Sequence, residues 1–345
     1  MSFYDGCTLL SLKDINGETP EIFLCTSNRS AGKTTYFSRL LVNRWKKDLT
    51  RKFMLVYRFK YELNDIENKF FKDIKELFFP DLDMTSEAQA NGIYHELFIN
   101  DTPCGYAVAL NCADQLKKMS HLFSDTDSMM FDEFMSEQNH YCANEVEKLI
   151  SIHTSVARGQ GKQVRYVPIY MISNPVSLIN PYYTVMGIST RLNKNTHFLK
   201  GDGWVLEQGF NESASNAQKQ SAFNRAFSSS KYMAYNTQAI YLNDNTAFID
   251  KITGNGRYVL TLRYKAVDYG VVEYNDQGII YVTDKADSTY NFRIAATTED
   301  FQINYVMLQS YKNYLAILRT LFEKGSFRFK NLQCKEALMT AIGYY

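Results

Sequence analysis

The chain is short of the residues that mark several common protein classes. Of 345 residues only six are proline and 17 glycine, too few for low-complexity spacers. Net charge is almost absent: 38 Lys and Arg face 37 Asp and Glu, leaving +1. That excludes a histone-like polycation, so any grip on nucleic acid must come from a local patch. The longest apolar stretches, such as 53–57, fall far short of a membrane span. Residues 1–13 lack a basic segment followed by an apolar run, so no signal peptide is read there. The six cysteines are scattered without a CxxC pair, and the five histidines without HxxxH or HxH spacing. That pattern predicts buried thiols in a reducing cytosol, not a disulfide frame or a His/Cys metal centre. What is present in quantity is apolar: 45% hydrophobic and 14% aromatic residues exclude a mainly disordered chain. The length suggests two domains.

Short apolar runs alternate with helical patterns over the first half. Strands are expected at 21–26, 53–59, 106–110, 128–131 and 167–172, and helices from Lys33 to about Lys47, over 62–79 and over 143–156. This order predicts a parallel α/β sheet. Residues 209–230, rich in Ser, Asn, Gln and Ala, read as a linker or small helical subdomain. Beyond Gly256 come strand-like runs at 258–264, 270–274 and 279–282, the last two joined by an Asn275-Asp276-Gln277-Gly278 turn. An amphipathic helix is expected over 301–323, closed by Gly325. The expected division is 1–205, a linker subdomain at 206–250, and a smaller α+β domain at 251–345.

The segment Ser27-Asn28-Arg29-Ser30-Ala31-Gly32-Lys33-Thr34-Thr35 lies between an expected strand and an expected helix. Its tail matches the end of a phosphate-binding P-loop. In such a loop, backbone N–H groups and the helix N-terminus face the phosphates of ATP, the lysine adds a point charge, and the Thr34 hydroxyl ligates Mg²⁺. The usual pattern has glycine where this chain has Ser27. Hydrolysis also needs a carboxylate for the metal shell and a group that orients water. The run Ser128-Met129-Met130-Phe131-Asp132-Glu133 supplies both at the end of a buried strand. Asp132 would hold Mg²⁺ through water and Glu133 would be the general base. Ser173 and Asn174 follow the fifth strand; they either sense the γ-phosphate and couple that state onward or cap a turn before Pro175. Arg158, in a glycine-flanked loop, is a candidate for an arginine donated to a neighbouring subunit, with Arg165 and Lys162 as competitors.

Together, an arginine inside the phosphate loop, an apolar strand ending in Asp-Glu, and Ser-Asn-Pro after the next strand resemble viral DNA-packaging motors. The likeness is to the DNA-encapsidation ATPases of small short-tailed phages with protein-primed linear genomes, relatives of terminase large subunits. It covers about residues 20–200 by motif and the rest by layout. The resemblance implies a P-loop NTPase of the additional-strand catalytic-glutamate class with a RecA-like parallel sheet, followed by a ribonuclease-H-like domain. It implies a homomeric ring, a pentamer, docked on the portal of an empty capsid in the host cytoplasm. There it would drive double-stranded DNA inward with ATP, in some cases with a packaging RNA. Lys33 and Thr34 become the phosphate-loop pair, Asp132 and Glu133 the metal-binding and catalytic carboxylates, and Arg158 the finger acting in trans.

In a nuclease of that type the first carboxylate sits on the first strand. Here 258–264 carries no acid, and Asp268, Glu273, Asp276 and Asp284 read as solvated hairpin residues. The expectation is a nuclease-like fold that binds DNA, portal or RNA without cutting. Residues 29–60 hold ten basic residues and one acid, +9 in all, while 61–101 run to −7. Arg58 and Lys60 are expected to touch DNA phosphates without reading bases. The competing functions are another P-loop enzyme on nucleic acid, such as a helicase, and a non-enzymatic capsid or scaffold protein with a decayed loop.

Overall fold

A computed structural model describes residues 4–159, 161–192, 196–230 and 248–343. The chain forms two compact units: Met1–Val176 with Asn193–Leu242, and Ser177–Leu192 with Asn243–Tyr345.

The first unit is built on nine strands: β1 Ile22–Thr26, β2 Lys52–Tyr57, β3 Met84–Gln89, β4 Tyr94–Ile99, β5 Thr102–Ala109, β6 Thr126–Asp132, β7 Ile169–Ser173, β8 Phe198–Gly201 and β9 Trp204–Gln208. Their order is β3-β4-β5-β2-β6-β7-β1-β9-β8. The six from β5 to β9 in that order are parallel, and β3, β4 and β8 pair antiparallel at the edges. Leu24, Phe53, Met54, Met129 and Ile172 are all but inaccessible, because strands covered on both faces must be apolar on both. The apolar runs therefore predicted the central strands well. They missed β3, β4 and β8, which form the antiparallel margins of the sheet, and β9, which carries Glu207 and Gln208 after its buried start.

A parallel sheet gathers its C-terminal strand ends on one edge, and loops there can share a ligand. β1 ends at Thr26 and β6 at Asp132, with β7 between them; Ile22 registers with Ile169, and Asp132 with Ile172. The helix expected from Lys33 runs Lys33–Lys47. The helix expected over 62–79 is three pieces instead: a 3₁₀ turn Lys60–Asp65, a π turn Glu67–Phe71 and an α-helix Lys72–Phe78. The wider turn lets the adjacent Phe70 and Phe71 both bury, at 3% and 1% exposure.

The boundary expected at 205/206 falls inside β9, where Leu206 and Glu207 register with Leu24 and Cys25. Helices Glu212–Gln220 and Ala222–Ala226 follow. Five of the cysteines are buried free thiols, and Cys7 is exposed. Among the described residues no helix is long and apolar enough to cross a membrane.

The second unit holds β10 Arg257–Tyr264, β11 Val267–Tyr274, β12 Ile279–Thr283, β13 Arg293–Ala295, β14 Val306–Met307 and β15 Phe327–Phe329, in the order β14-β13-β10-β11-β12-β15. β10, β11 and β12 form an antiparallel meander; β13, β14 and β15 add in parallel. Helix Leu332–Ile342 packs Cys334, Ala337, Leu338 and Ile342 into the core with Leu260, Val271, Val282 and Phe329. The helix expected over 301–323 begins only at Lys312. Upstream of it, Val306 and Met307 pair with Ile294 and Ala295 as β14; the open sheet edge takes those backbone groups before a helix can.

Candidate functional site

The Ser27–Gly32 loop turns sharply between β1 and the helix Lys33–Lys47. Its left-handed positions are Ser30 at φ 60° and Gly32 at φ 94°. Ser27, standing where glycine is usual, is not among the positive-φ residues. A β-carbon is therefore tolerated there, and the departure from the usual pattern leaves the turn intact.

Lys33 is 7% exposed, and its ammonium is gathered inward by the loop. Nζ donates to Ser27 O at 3.0 Å, Ser27 Oγ at 2.9 Å, Asn28 O at 3.2 Å and Asn174 Oδ1 at 3.3 Å. Burial pushes its pKa down, and Asp132 is among the charges that oppose the shift. Asn174, a candidate from its place after β7, thus reaches the loop directly. Ser173 contributes its carbonyl, which accepts from Ser27 N at 3.4 Å, while its hydroxyl donates to Asn174 O at 2.9 Å.

Thr34 and Asp132 are 98 positions apart in sequence, yet Thr34 Oγ1 donates to Asp132 Oδ2 at 2.8 Å. The other Asp132 oxygen accepts from Glu133 N at 2.9 Å. Burial pushes the Asp132 carboxyl up, against the Thr34 bond and Lys33, which lower it. Glu133 is also raised, first by burial and then by the charges of Asp132 and Glu137; Arg29 opposes. A carboxyl above its ordinary range is suited to accepting a proton from water. A hydroxyl beside a carboxylate is a hard-oxygen donor set of the kind Mg²⁺ takes.

Glu133 sits at φ 55°, a strained setting for a non-glycine residue. Arg58 holds it there. Its Nη2 donates to Glu133 O at 3.2 Å and Phe134 O at 2.9 Å, and its Nε to both oxygens of Glu145 at 3.1 and 2.9 Å. The guanidinium also lies 5.1 Å from the Tyr141 ring centre. Arg58 is 8% exposed and Glu145 3%. The expectation that Arg58 touches DNA phosphates is therefore corrected: it is an internal brace of the Asp132–Phe134 turn. Lys60 is exposed, its Nζ donating to Asn91 O at 2.8 Å.

The rest of the loop is tied from outside. Arg29 pairs with Glu137. Asn28, fully buried, exchanges bonds with Asn211: Asn28 Nδ2 donates to Asn211 O at 3.1 Å, and Asn211 N to Asn28 Oδ1 at 2.8 Å. Gln218 Nε2 donates to Ser30 Oγ at 2.9 Å. Ala31 is buried, and Thr35 lines the same cleft as Lys33, Thr34, Asp132 and Glu133, which measures about 370 Å³. Sequence reasoning missed Glu137, Glu145 and Asn211. Glu145 carried one signal, a carboxylate opening a helix; nothing local marked the other two.

Arg158 lies on the loop between helix Glu145–Val156 and β7, a turn closed by mutual backbone bonds of Gly159 and Lys162 at 3.2 and 3.0 Å. It is exposed. That loop feeds the N-terminal end of β7, the sheet edge opposite to Lys33 and Asp132. Arg165 is held internally, donating to Val156 O at 2.8 Å and Thr126 O at 3.2 Å. Lys162 is exposed on the same turn.

The expected charge separation in 29–60 does not survive folding. Arg44 pairs with Asp127 at 2.6 Å and Lys52 with Asp125 at 2.8 Å, while Arg29 and Arg58 meet Glu137 and Glu145. Arg44 also donates to Tyr170 Oη at 2.8 Å.

The model of the podovirus DNA encapsidation protein (Gp16) family matches residues 3–341. The chain belongs to that family. It is a viral DNA-packaging motor protein. The encapsidation-family chain is 26% identical over 307 residues to the DNA packaging protein of Bacillus phage PZA, covering 88% of this chain and 87% of the relative. With the DNA packaging protein of Bacillus phage B103 it shares 27% identity over 322 residues, 92% and 93% of the two chains. Its fold matches a chain of the bacteriophage Phi-29 viral genome packaging motor assembly at a TM-score of 0.64, with 24% identity and 99% of each chain covered. A Phi-28 gp11 DNA packaging motor matches at 0.62, with 16% identity over 99% and 98% of the chains.

Proposed function

We propose that this encapsidation protein is an ATPase that drives double-stranded DNA into a preformed capsid as a homomeric ring, a pentamer, docked at the portal. The observation that carries the reading is the convergence of Lys33, Thr34, Asp132 and Glu133 on one cleft, with β7 inserted between the strands that bear them. The inserted strand supports assignment to the additional-strand catalytic-glutamate class of P-loop NTPases.

In this reading Lys33 exchanges its loop carbonyls and Asn174 for β- and γ-phosphate oxygens, and backbone N–H groups from Ser30 to Thr34 face the same anions. Thr34 and Asp132 hold Mg²⁺, which supplies charge neutralisation between the phosphates. Glu133, kept in place by Arg58, accepts the proton of the attacking water. Loss of the Lys33–Asn174 bond on nucleotide binding is how Ser173 and Asn174 report that state onward. Arg158, on the opposite sheet edge from its own Lys33, acts in the cleft of a neighbour. Lys60 is the remaining candidate for phosphate contact with DNA.

The order β12-β11-β10-β13-β14, with a leading antiparallel meander, supports the ribonuclease-H-like reading of the second unit. Three of the four acids considered there meet separate cations: Asp268 with Arg263 at 3.0 Å, Glu273 with Arg257 and Asp284 with Lys330 both at 2.5 Å. That pairing speaks against a two-metal nuclease centre, and the second unit is read as binding DNA, the portal or a packaging RNA, with the protein acting in the host cytoplasm. The deciding experiment measures ATP turnover with and without double-stranded DNA for the wild type and Glu133→Gln. The variant should bind ATP and fail to turn it over; normal turnover would sink the mechanism. Mixing Arg158→Ala with Lys33→Ala subunits should restore part of the activity, and no rescue in any ratio counts against the arginine acting in trans.

A further inference from the structure

A second cleft, of about 820 Å³, lies against the back of the phosphate loop and shares Ser27 and Ala31 with it. Its other walls are Tyr4, Glu207 at the end of β9, and the 209–220 segment, including Phe210, which is 52% exposed. A smaller space of about 300 Å³ meets the loop at Arg29 and is lined also by Arg58, Tyr61, Glu62, Glu133 and Glu137. A nucleotide whose phosphates lie along the loop must place its base on one of these sides. The smaller space borders Glu133, and in the ATPase reading it holds the attacking water. The larger one offers room and an exposed aromatic ring for stacking.

The polar equipment of the larger cleft is specific. Tyr4 Oη donates to Glu207 Oε2 at 2.6 Å, and burial with the neighbouring Glu207 pushes the phenol pKa far up, so Tyr4 stays a donor. Tyr4 N donates to Ala31 O at 2.8 Å, which fixes the tyrosine to the loop. The Tyr4 bond is to Oε2, and Glu207 lines the cleft. A β-carbon added at Gly209 would lie 3.8 Å from Oε1 and 3.7 Å from Ser27 Cβ, so Gly209 stands between Glu207 and the start of the phosphate loop.

We infer that Glu207, with one oxygen capped by Tyr4, is the base-specificity residue of this site and selects adenine by accepting a single N–H from its 6-amino group. Hypoxanthine presents a carbonyl oxygen at that position, so its lone pairs face the carboxylate. Guanine presents the same carbonyl, and pairing its N1–H and 2-amino group to a carboxylate needs both oxygens. The bond between Tyr4 and Glu207 is therefore negative selection against guanine. This inference rests on the ATPase reading of the phosphate loop and adds the choice of base.

The test is competition of ATP, ITP and GTP against a fluorescent ribose-labelled ATP on the full chain. Wild type should prefer ATP over ITP by about tenfold or more, as expected for a hydrogen bond to a charged acceptor. Glu207→Gln, whose amide can donate to a carbonyl, should bring ATP and ITP within about threefold. Tyr4→Phe frees Oε2 and should raise GTP affinity several-fold while the ATP-to-ITP ratio holds. Equal wild-type affinity for ATP and ITP overturns the inference, as does an unchanged ratio in a folded Glu207→Gln. If that variant does not fold, the GTP response of Tyr4→Phe decides, and no gain overturns it. Failure of the wild type to bind any of the three nucleotides would instead bring down the ATPase reading itself.

Discussion

The two units use their acids in opposite ways. In the first, Asp132 and Glu133 are adjacent at the end of β6, both raised by burial, with Glu137 adding to Glu133. They are held together by Thr34 and by the Arg58 brace. In the second, Asp268, Glu273 and Asp284 each meet a separate cation. Among the described residues no group of three or more His, Cys, Asp or Glu side chains gathers as a metal would need. The difference follows from topology. A parallel sheet brings the C-terminal ends of distant strands to one edge, whereas a meander spreads its polar residues along hairpins that open to solvent.

Four substitutions break or sharpen this contrast. The largest effect belongs to Glu133→Gln. It should lower turnover about 10²- to 10⁴-fold with nucleotide binding kept, read by single-turnover kinetics and equilibrium binding. Next is Arg58→Ala, which takes the guanidinium from the buried Glu145 carboxylate, leaving the Cys142 N–H on Oε2, and from the Glu133 and Phe134 carbonyls. Denaturant unfolding should show a loss of about 3–5 kcal/mol. Were Arg58 a DNA contact instead, stability would hold and DNA affinity would fall with a shallower salt dependence.

A smaller and more diagnostic effect concerns pH. Glu133 must be deprotonated to act, and its pKa lies above the usual carboxylate range, so turnover should fall on acidification at a higher pH than an ordinary glutamate would give. Glu137→Gln removes one charge that raises it and releases Arg29, which lowers it. The acid limb of the kcat profile should therefore move to lower pH; no movement would remove Glu137 from the electrostatics of the site. The smallest effect is Asp268→Asn in the second unit. Its partly exposed pair with Arg263 should contribute no more than about 1 kcal/mol, and ATP turnover should be unchanged. A large loss of turnover would mean that the second unit's acids are chemically engaged after all.

The site was legible in the sequence to the extent that it is local. Ser27–Thr35 and Asp132-Glu133 are contiguous, and each follows an apolar run that had to be a buried strand. Arg58 shows the limit. A cation after a strand reads equally well as a surface contact or an internal brace, and only the neighbouring β6 and the helix opening at Glu145 decide between them. The +9 of residues 29–60 is reduced for the same reason: Arg29, Arg44, Lys52 and Arg58 fold against Glu137, Asp127, Asp125 and Glu145, 65 or more positions further on. Register within 62–79 was illegible as well, since the π turn answers to what Phe70 and Phe71 pack against.

Composition and local pattern by themselves determined a mixed α/β chain with a phosphate-loop segment, an acidic strand end and a second, smaller strand-rich region. Those features depend on burial of contiguous apolar runs and on backbone turns, which act over a few residues. Tertiary structure alone decided that β7 inserts between β1 and β6, that Arg58 faces inward, that Arg158 lies on the far sheet edge, and that Tyr4 and Glu207, 203 positions apart, meet beside Ser27. Each of these is a pairing between segments with no local preference for one another, fixed only when the sheet order closes.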